Sequence, residues 1–470
     1  MNQAAQAPKS RTQTKRSRRR QQRAESLPAS MRQFLTPDVW KQAHHAARDH
    51  HLRPRPRWPV AAVLVVLATM TWCAGQTEAE RFVAARAFYV RAYNPKRRRP
   101  GQQVGSYHKA LAALPLPVLW ALSDAVRHQI ARRLLPAMEL GGFVPLGCDA
   151  TRQECPRTEA LERDLGQASK AGSAPMIWIT ALVSLRTGVP WAWRLGTAKT
   201  GERQHLIDLL EVLPHAALLV CDAGYVGYEL TKTLLGRRHS FLIRMSSQAK
   251  LFSEELVELR RFREGLVYYW PKEAQDQNQP PLRVRLIRIQ SPKRKHDVWL
   301  LTDVLDARRL SVRRAERLYR MRWESEGFFR SYKRTIKDIK LFSAAVPQLV
   351  REAEGALLSC QLLLAQGALA LQQRSGPADG SMDPEKCSAR RVLVEIRREV
   401  AACAPPRPQL SFRKRLEQAG RDRRPRARPK VRKEHPQRRP HKPPRPPAVK
   451  VLDCGQQQRL ADHRACGQVI

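Results

Sequence analysis

The sequence predicts an α/β fold: a mixed β-sheet with helices packed against it, preceded by a helical region. Three features carry that expectation. From Gly142 onward, short apolar runs rich in β-branched and aromatic residues recur at strand length. After the third run they alternate with segments of helical periodicity, in the order β-β-β-α-β-α-β. Before Gly142 the apolar positions follow a helical spacing instead.

Residues 32–140 are therefore expected to form a small helical domain. Its apolar run from Val60 to Ala74 (VAAVLVVLATMTWCA) is too short to cross a bilayer comfortably and is expected as a buried helix. Thr77 and Glu80 then open an amphipathic helix, TEAERFVAARAFYVRAY, with the Thr-x-x-Glu spacing of a capping box. A third helix is expected from Leu114 to Leu135, set off by the basic loop NPKRRRPGQQVG. Such a domain suits recognition of DNA ends and equally suits packing without DNA contacts.

The next three strands are expected in FVPLGCDA, APMIWITALVSL and VPWAWRLGTA, the last two joined by the turn Arg186-Thr187-Gly188. The helix GERQHLIDLLEVL follows, with Leu206, Leu209, Leu210 and Leu213 on one face; then come the strand AALLVCDAG, the helix GYELTKTLLGRR and the strand SFLIRMS. Residues 248–306 break the alternation and are expected as a β-rich insertion, with LRVRLIRI and DVWLLTDVL beside the polar loop KEAQDQNQPP. A long helix from Ala307 to about Ile336 returns the chain to the main fold, and a second apolar helix runs from Val346 to about Leu371. The domain so bounded covers 141–372. Residues 373–404, with Gly376, Pro377, Gly380 and Pro384, are expected as a linker and short helix. The ends, 1–31 with the run Lys9 to Arg23 and 405–470 with its Pro/Arg-rich stretch, are expected as disordered basic tails, because neither has the apolar content to bury a core.

Charge narrows the function. The 470-residue chain carries 86 Lys and Arg against 42 Asp and Glu, a formal net charge of +44, which calls for a polyanionic partner, nucleic acid being the commonest. Nine cysteines with no Cys-x-x-Cys pair argue against a disulfide framework and a zinc ribbon, and suit a reducing cytoplasm. Cys454, His463 and Cys466 match no common zinc spacing. The basic stretch before the first apolar run is far longer than the n-region of a signal peptide, so no secretory leader and no membrane partner are expected.

Two aspartates stand at the ends of buried-looking strands: Asp149 after FVPLGC and Asp222 after AALLVC. Carboxylates at the ends of neighbouring strands can converge on one metal site, and as turn or cap residues they would be equally at home. In the helix RRAERLYRMRWESEGFFRSYKRTIKDIK, Leu318, Met321, Phe329, Tyr332 and Ile336 gather on one face. Tyr319, Arg322, Glu326, Arg330 and Lys333 gather on a second, placing a lone carboxylate among cations. That arrangement fits a cleft-facing Glu326 or a simple Arg322–Glu326 pair on a solvated face.

Tyr319, Arg322, Glu326 and Lys333 satisfy Y-x2-R-x3-E-x6-K, and with Trp323 and Phe329 this segment resembles the signature of the DDE transposases of bacterial insertion-sequence family four. VCDAGY around Asp222 and WLLTDVL ahead of the helix are similar to that family too, although Ala150 and Thr151 follow Asp149 where a glycine is common. The resemblance, over about Phe143 to Leu364, implies a ribonuclease H-like domain interrupted by the β-rich insertion. It implies Asp149, Asp222 and Glu326 as the catalytic and metal-holding residues, with two Mg²⁺ or Mn²⁺ ions, hard cations that prefer oxygen donors. It also implies DNA contacts from Tyr319, Arg322, Arg330 and Lys333, and base stacking by Trp299 or Trp270, each of which could instead be a core residue. The implied activity is cleavage at double-stranded transposon ends and strand transfer into target DNA, by a homodimer in a synaptic complex, in the cytoplasm of a bacterium and with its nucleoid. A catalytically defective DNA-binding relative and a basic nucleic-acid-associated protein unrelated to transposition are the alternatives.

Overall fold

The structure, a computed structural model, describes residues 26–401, 411–420 and 446–469, apart from positions 54, 56, 94, 96–98, 167–172, 246, 248, 291–296, 336–340, 342 and 376–384. The run Lys9 to Arg23 and most of the Pro/Arg-rich stretch lie outside the described residues.

Among the described residues six helices come first: α1 (Leu27–Arg32), α2 (Pro37–Asp49), α3 (Val60–Met70), α4 (Glu78–Tyr93), α5 (Val104–Ala113) and α6 (Leu116–Met138). The predicted capping box is present at α4. Thr77 Oγ1 accepts from the Glu80 N–H at 3.2 Å, and the Glu80 carboxylate reaches back to the N–H groups of Gln76 (2.7 Å) and Thr77 (3.4 Å). The apolar run beginning at Val60 is the buried helix α3, its residues from Ala62 to Thr69 all enclosed.

The sheet region follows with β1 (Val144–Glu154), α7 (Glu159–Leu165), β2 (Met176–Ser184), β3 (Pro190–Gly196), α8 (Glu202–Leu209), β4 (Ala217–Cys221), α9 (Tyr228–Gly236) and β5 (Ser240–Arg244). Then come β6 (Lys250–Ser253), β7 (Glu264–Tyr269), α10 (Lys272–Asp276), β8 (Leu282–Ile289), β9 (Val298–Thr302), α11 (Val312–Met321), α12 (Trp323–Arg330) and α13 (Val346–Ser375). The described chain ends with α14 (Ala389–Val400), α15 (Phe412–Ala419), β10 (Ala448–Val451) and α16 (Cys454–Ala465).

The ten strands of the described residues join one sheet in the order β10-β6-β7-β8-β9-β5-β4-β1-β2-β3. Strands β1, β2 and β3 are antiparallel, while β4 pairs parallel with both β1 and β5. The order β3-β2-β1-β4-β5 with these directions agrees with the ribonuclease H-like expectation. The insertion does not stand apart from it: β9 pairs antiparallel with β5 through Leu300, Leu301 and Thr302, so β6 to β9 continue the same sheet. Backbone pairing at the β5 edge satisfies groups that an open edge would leave to solvent.

Three expectations are corrected. Asp149 does not end its strand: β1 continues to Glu154, paired with β2, and only its parallel pairing with β4 stops at Gly147. The long helix after residue 307 begins at Val312, capped by Ser311, and its ladder is interrupted at Arg322. There the Arg322 N–H bonds the Tyr319 carbonyl and the Ser325 N–H bonds the Arg322 carbonyl, tightening the turn to three-residue spacing. Finally, the C-terminal segment is not tail throughout. Strand β10 adds in parallel to β6, and α16 packs on the insertion through Gln456 to Gln275 (2.9 Å) and Arg464 to Glu254 (2.6 Å).

The helical region shares its core with the sheet. One buried cluster runs from Leu27 through α3, α6, α13 and the sheet to Leu460. Helix α13 is long and apolar enough to cross a membrane, yet its most apolar 18-residue window lies buried inside this protein. Its Gly355 admits the Leu67 side chain of α3, and its Ser359 carbonyl accepts from Trp72 Nε1 at 3.2 Å.

Candidate active site

The first two carboxylates are placed by strand register. Val144 stands opposite Ala217 and Gly147 opposite Val220. The pairing ends there, two residues short of Asp149 and Asp222, so the two strands bring both aspartates to the same end of the β1–β4 ladder. Asp222 leaves β4 at this point and caps a short 3₁₀ turn, its Oδ1 accepting from the Gly224 N–H at 2.8 Å. Asp149 Oδ1 accepts from the Ala150 N–H at 2.9 Å.

Glu326 arrives from α12, which lies on β1 at Gly147. A Cβ at Gly147 would overlap Ser325 Oγ and press on Leu185, so only glycine lets the helix come this near the strand. Gly147 and Asp149 share a strand face, and Ser325 is the residue before Glu326; the same contact therefore carries Glu326 toward Asp149. Glu326 is 34% exposed and accepts from Arg322 Nη2 at 3.0 Å, while Arg322 is only 9% exposed. The solvated-face alternative for this pair thus fails on Arg322, which is enclosed.

Burial pushes the Asp149 carboxyl up to about 6, with Glu326 and Asp222 raising it further and the Ala150 N–H and Arg322 opposing them. Burial works against the charge of Arg322, but Tyr319, Glu326 and Asp222 outweigh it and hold the guanidinium above its ordinary range. Tyr319 is buried and hydrogen-bonded to Arg322, so it is a support for that side chain rather than an exposed contact.

Arg330 and Lys333 are exposed and, with Phe329 and Arg334, line a cleft of about 510 Å³. Lys333 lies in a π-helical turn, Ser331–Thr335, and its Nζ donates to the Arg152 carbonyl at 2.6 Å, joining this basic patch to β1. Arg152 itself lies over the Trp178 ring at 4.3 Å.

The two indoles expected to stack on bases are covered. Trp270 is fully buried under α16, with Arg459 over its ring at 5.2 Å and its Nε1 donating to the Gln279 carbonyl. Trp299 is 6% exposed and stacked on Phe262. The exposed indole beside the carboxylates is Trp323, 59% exposed, with Arg322 over its ring at 4.9 Å. Sequence reasoning used Trp323 only as part of the motif and not as a contact residue, although its place between Arg322 and Glu324 was a readable signal. It also missed Glu202, at the start of α8, which the structure brings into the field of Asp149 and Asp222.

Residues 148–343 match the model of the transposase DDE domain. The match supports a DDE transposase, an enzyme class that cuts and joins phosphodiester bonds. The three carboxylates, the exposed Trp323 and the basic cleft all fall inside the DDE span. Among solved structures, the cryo-EM structure of the piggyBac transposase synaptic complex with hairpin DNA is similar at a TM-score of 0.42 and 10% identity, over 87% of this chain and 88% of that chain. No curated protein matches the sequence.

The donor set of the DDE span suits a hard divalent cation: it is all oxygen, and its like charges raise the Asp149 carboxyl. Among the described residues, no three His, Cys, Asp or Glu side chains are drawn together closely enough to chelate an ion in this conformation. The reason is visible in the hydrogen bonds: Asp149 and Asp222 are turned to neighbouring backbone N–H groups and Glu326 to Arg322.

Proposed function

We propose that this protein is a DDE transposase of the insertion-sequence family four type, which cuts double-stranded DNA at transposon ends and joins the freed ends to target DNA. One observation supports the reading above the rest: the β1–β4 pairing runs to Gly147 opposite Val220, two residues short of Asp149 and Asp222, and at that same Gly147 α12 packs on β1 through Ser325, the residue before Glu326. Asp149, Asp222 and Glu326 would hold Mg²⁺ or Mn²⁺ there, Glu326 exchanging its bond to Arg322 for the cation. The chemistry supplied at such a centre is activation of a water or a 3′-hydroxyl and stabilisation of the leaving oxygen.

The chain's own residues do the rest. Arg322, released from Glu326, would turn its planar fork to a phosphate; its Nε is buried without a hydrogen-bond partner among the described residues, a donor in reserve. Arg330, Lys333 and Arg334 would hold the backbone of the same strand as point and fork charges. Trp323 offers its face to a base beside the cut. The reading carries with it a pair of chains on paired ends and a place of action with the bacterial nucleoid, in keeping with the net charge of +44.

The test is a nicking assay on end-bearing DNA with and without Mg²⁺ or Mn²⁺, run on wild type and Glu326→Gln. Metal-dependent cutting by wild type alone is expected, with DNA binding kept in the variant. Binding without cutting by wild type would instead identify a catalytically defective relative.

A further inference from the structure

The first turn of α12 carries Glu324, Ser325 and Glu326, and each meets a different part of the protein. Ser325 rests on β1 at Gly147, and Glu326 accepts from Arg322. Glu324 is buried and pairs with Lys386, in the segment just ahead of α14. At 3.6 residues per turn Glu324 and Glu326 project about 200° apart. The ion pair therefore grips α12 from the side opposite the carboxylate of the candidate site.

The tightened turn at Arg322 separates α12 from α11, so the roll of α12 is set by what α12 itself touches. Phe328 and Phe329 hold it down by burial, which has no direction. Ser325 on Gly147 supplies a pivot, and a pivot leaves rotation about it open. The Glu324–Lys386 pair supplies the second point. Two buried charges recover their desolvation only when aimed at each other, so such a pair specifies an orientation more than it adds stability.

Lys386 is itself a fixed post. The preceding Glu385 N–H donates at 2.8 Å to the carbonyl of Arg186, in the turn between β2 and β3. The Lys386 stem lies on Gly188 of that turn, its Cβ 3.5 Å from where a glycine Cβ would stand. On the next residue, Cys387 fills the space at Gly367 of α13, where an added Cβ would come within 2.6 Å of its Sγ. The sheet and α13 thus hold the cation in place, and the cation holds the helix.

We propose that Lys386, acting through Glu324, is a positioning residue for Glu326: it fixes the roll of α12 and so aims the Glu326 carboxylate at the strand ends bearing Asp149 and Asp222. The proposal rests on the DDE reading above. Its distinctive consequence is that removing the pair as a unit slows the chemistry while fold and DNA binding persist.

The experiment uses full-length wild type, Glu324→Gln with Lys386→Met, and the charge exchange Glu324→Lys with Lys386→Glu. Single-turnover nicking of end-bearing DNA, Mn²⁺ affinity by electron paramagnetic resonance, DNA affinity and melting temperature are measured for each. The uncharged double variant leaves no unmatched partner and keeps the net charge, so attraction to DNA is preserved. It is expected to nick about 10- to 100-fold more slowly and to bind Mn²⁺ more weakly, with DNA affinity and melting temperature near wild type. The charge exchange rebuilds the pair end for end and is expected to recover part of the rate. Wild-type nicking and Mn²⁺ affinity per folded molecule in the uncharged variant would overturn the proposal and leave the DDE reading intact. So would a charge exchange that melts like wild type yet nicks no faster than the uncharged variant. Absence of metal-dependent nicking by wild type would overturn both.

Discussion

Gly147 of β1 faces Ser325 of α12 with no room for a side chain between them, and that contact sets the height of Glu326 over the sheet. Gly147→Ala should therefore destabilise the fold by about 1–3 kcal/mol, the usual cost of overpacking. It should also reduce metal-dependent cutting more than DNA binding. Ser325→Ala removes the colliding oxygen, so the double variant should recover part of the loss. Additive melting-temperature changes in the double-variant cycle would show that the two residues are not coupled.

Asp149 makes metal-free stability depend on pH with a defined sign. Its carboxyl is raised to about 6 in the fold, against about 3.9 in an unfolded chain, so the native state holds the proton more tightly. The contribution of this group is fully present below about pH 4 and is lost as pH rises through about 6. Denaturant titrations in chelator should show wild type losing stability relative to Asp149→Asn across that window, with a constant difference above it. A constant difference from pH 4 to 7 would mean that Asp149 is not raised.

Glu354 is buried in α13, where it accepts from Trp193 Nε1 at 2.7 Å and Trp120 Nε1 at 3.2 Å and so joins the sheet to α6. Glu354→Leu leaves the Trp193 donor buried and unmatched, and should cost about 1–3 kcal/mol. Glu354→Gln keeps an acceptor and should cost less. Chemical denaturation of the two variants gives the comparison directly.

Trp270 and Trp323 should separate packing from DNA contact. Trp270→Ala empties a fully buried site and should cost about 3–5 kcal/mol. Trp323→Ala, at an exposed position, should change stability by about 0.5 kcal/mol or less and weaken binding to end-bearing DNA. Unchanged end binding in Trp323→Ala would remove the indole from the DNA surface.

Arg330→Ala and Lys333→Ala alter exposed cations of one cleft. Each should lower the salt dependence of end binding by about one phosphate contact. A salt titration in a Glu326→Gln background, where cutting cannot interfere, measures both slopes; slopes equal to wild type would leave the cleft without a role in DNA contact.

The sequence by itself determined what is local. Strand alternation around Asp149 and Asp222, the Thr77–Glu80 capping box of α4, the buried α3, and the two faces of the Glu326 helix all follow from residue spacing along a single element, because side-chain direction in a helix or strand is set by its own period. Tertiary structure alone decided what depends on partners distant in the chain. The β1–β4 register set Gly147 opposite Val220 and so brought the ends bearing Asp149 and Asp222 together, since nothing in either strand specifies the residue it will face. Pairing of β9 with β5 drew the insertion into the main sheet, and return of the C-terminal segment to β6 buried Trp270.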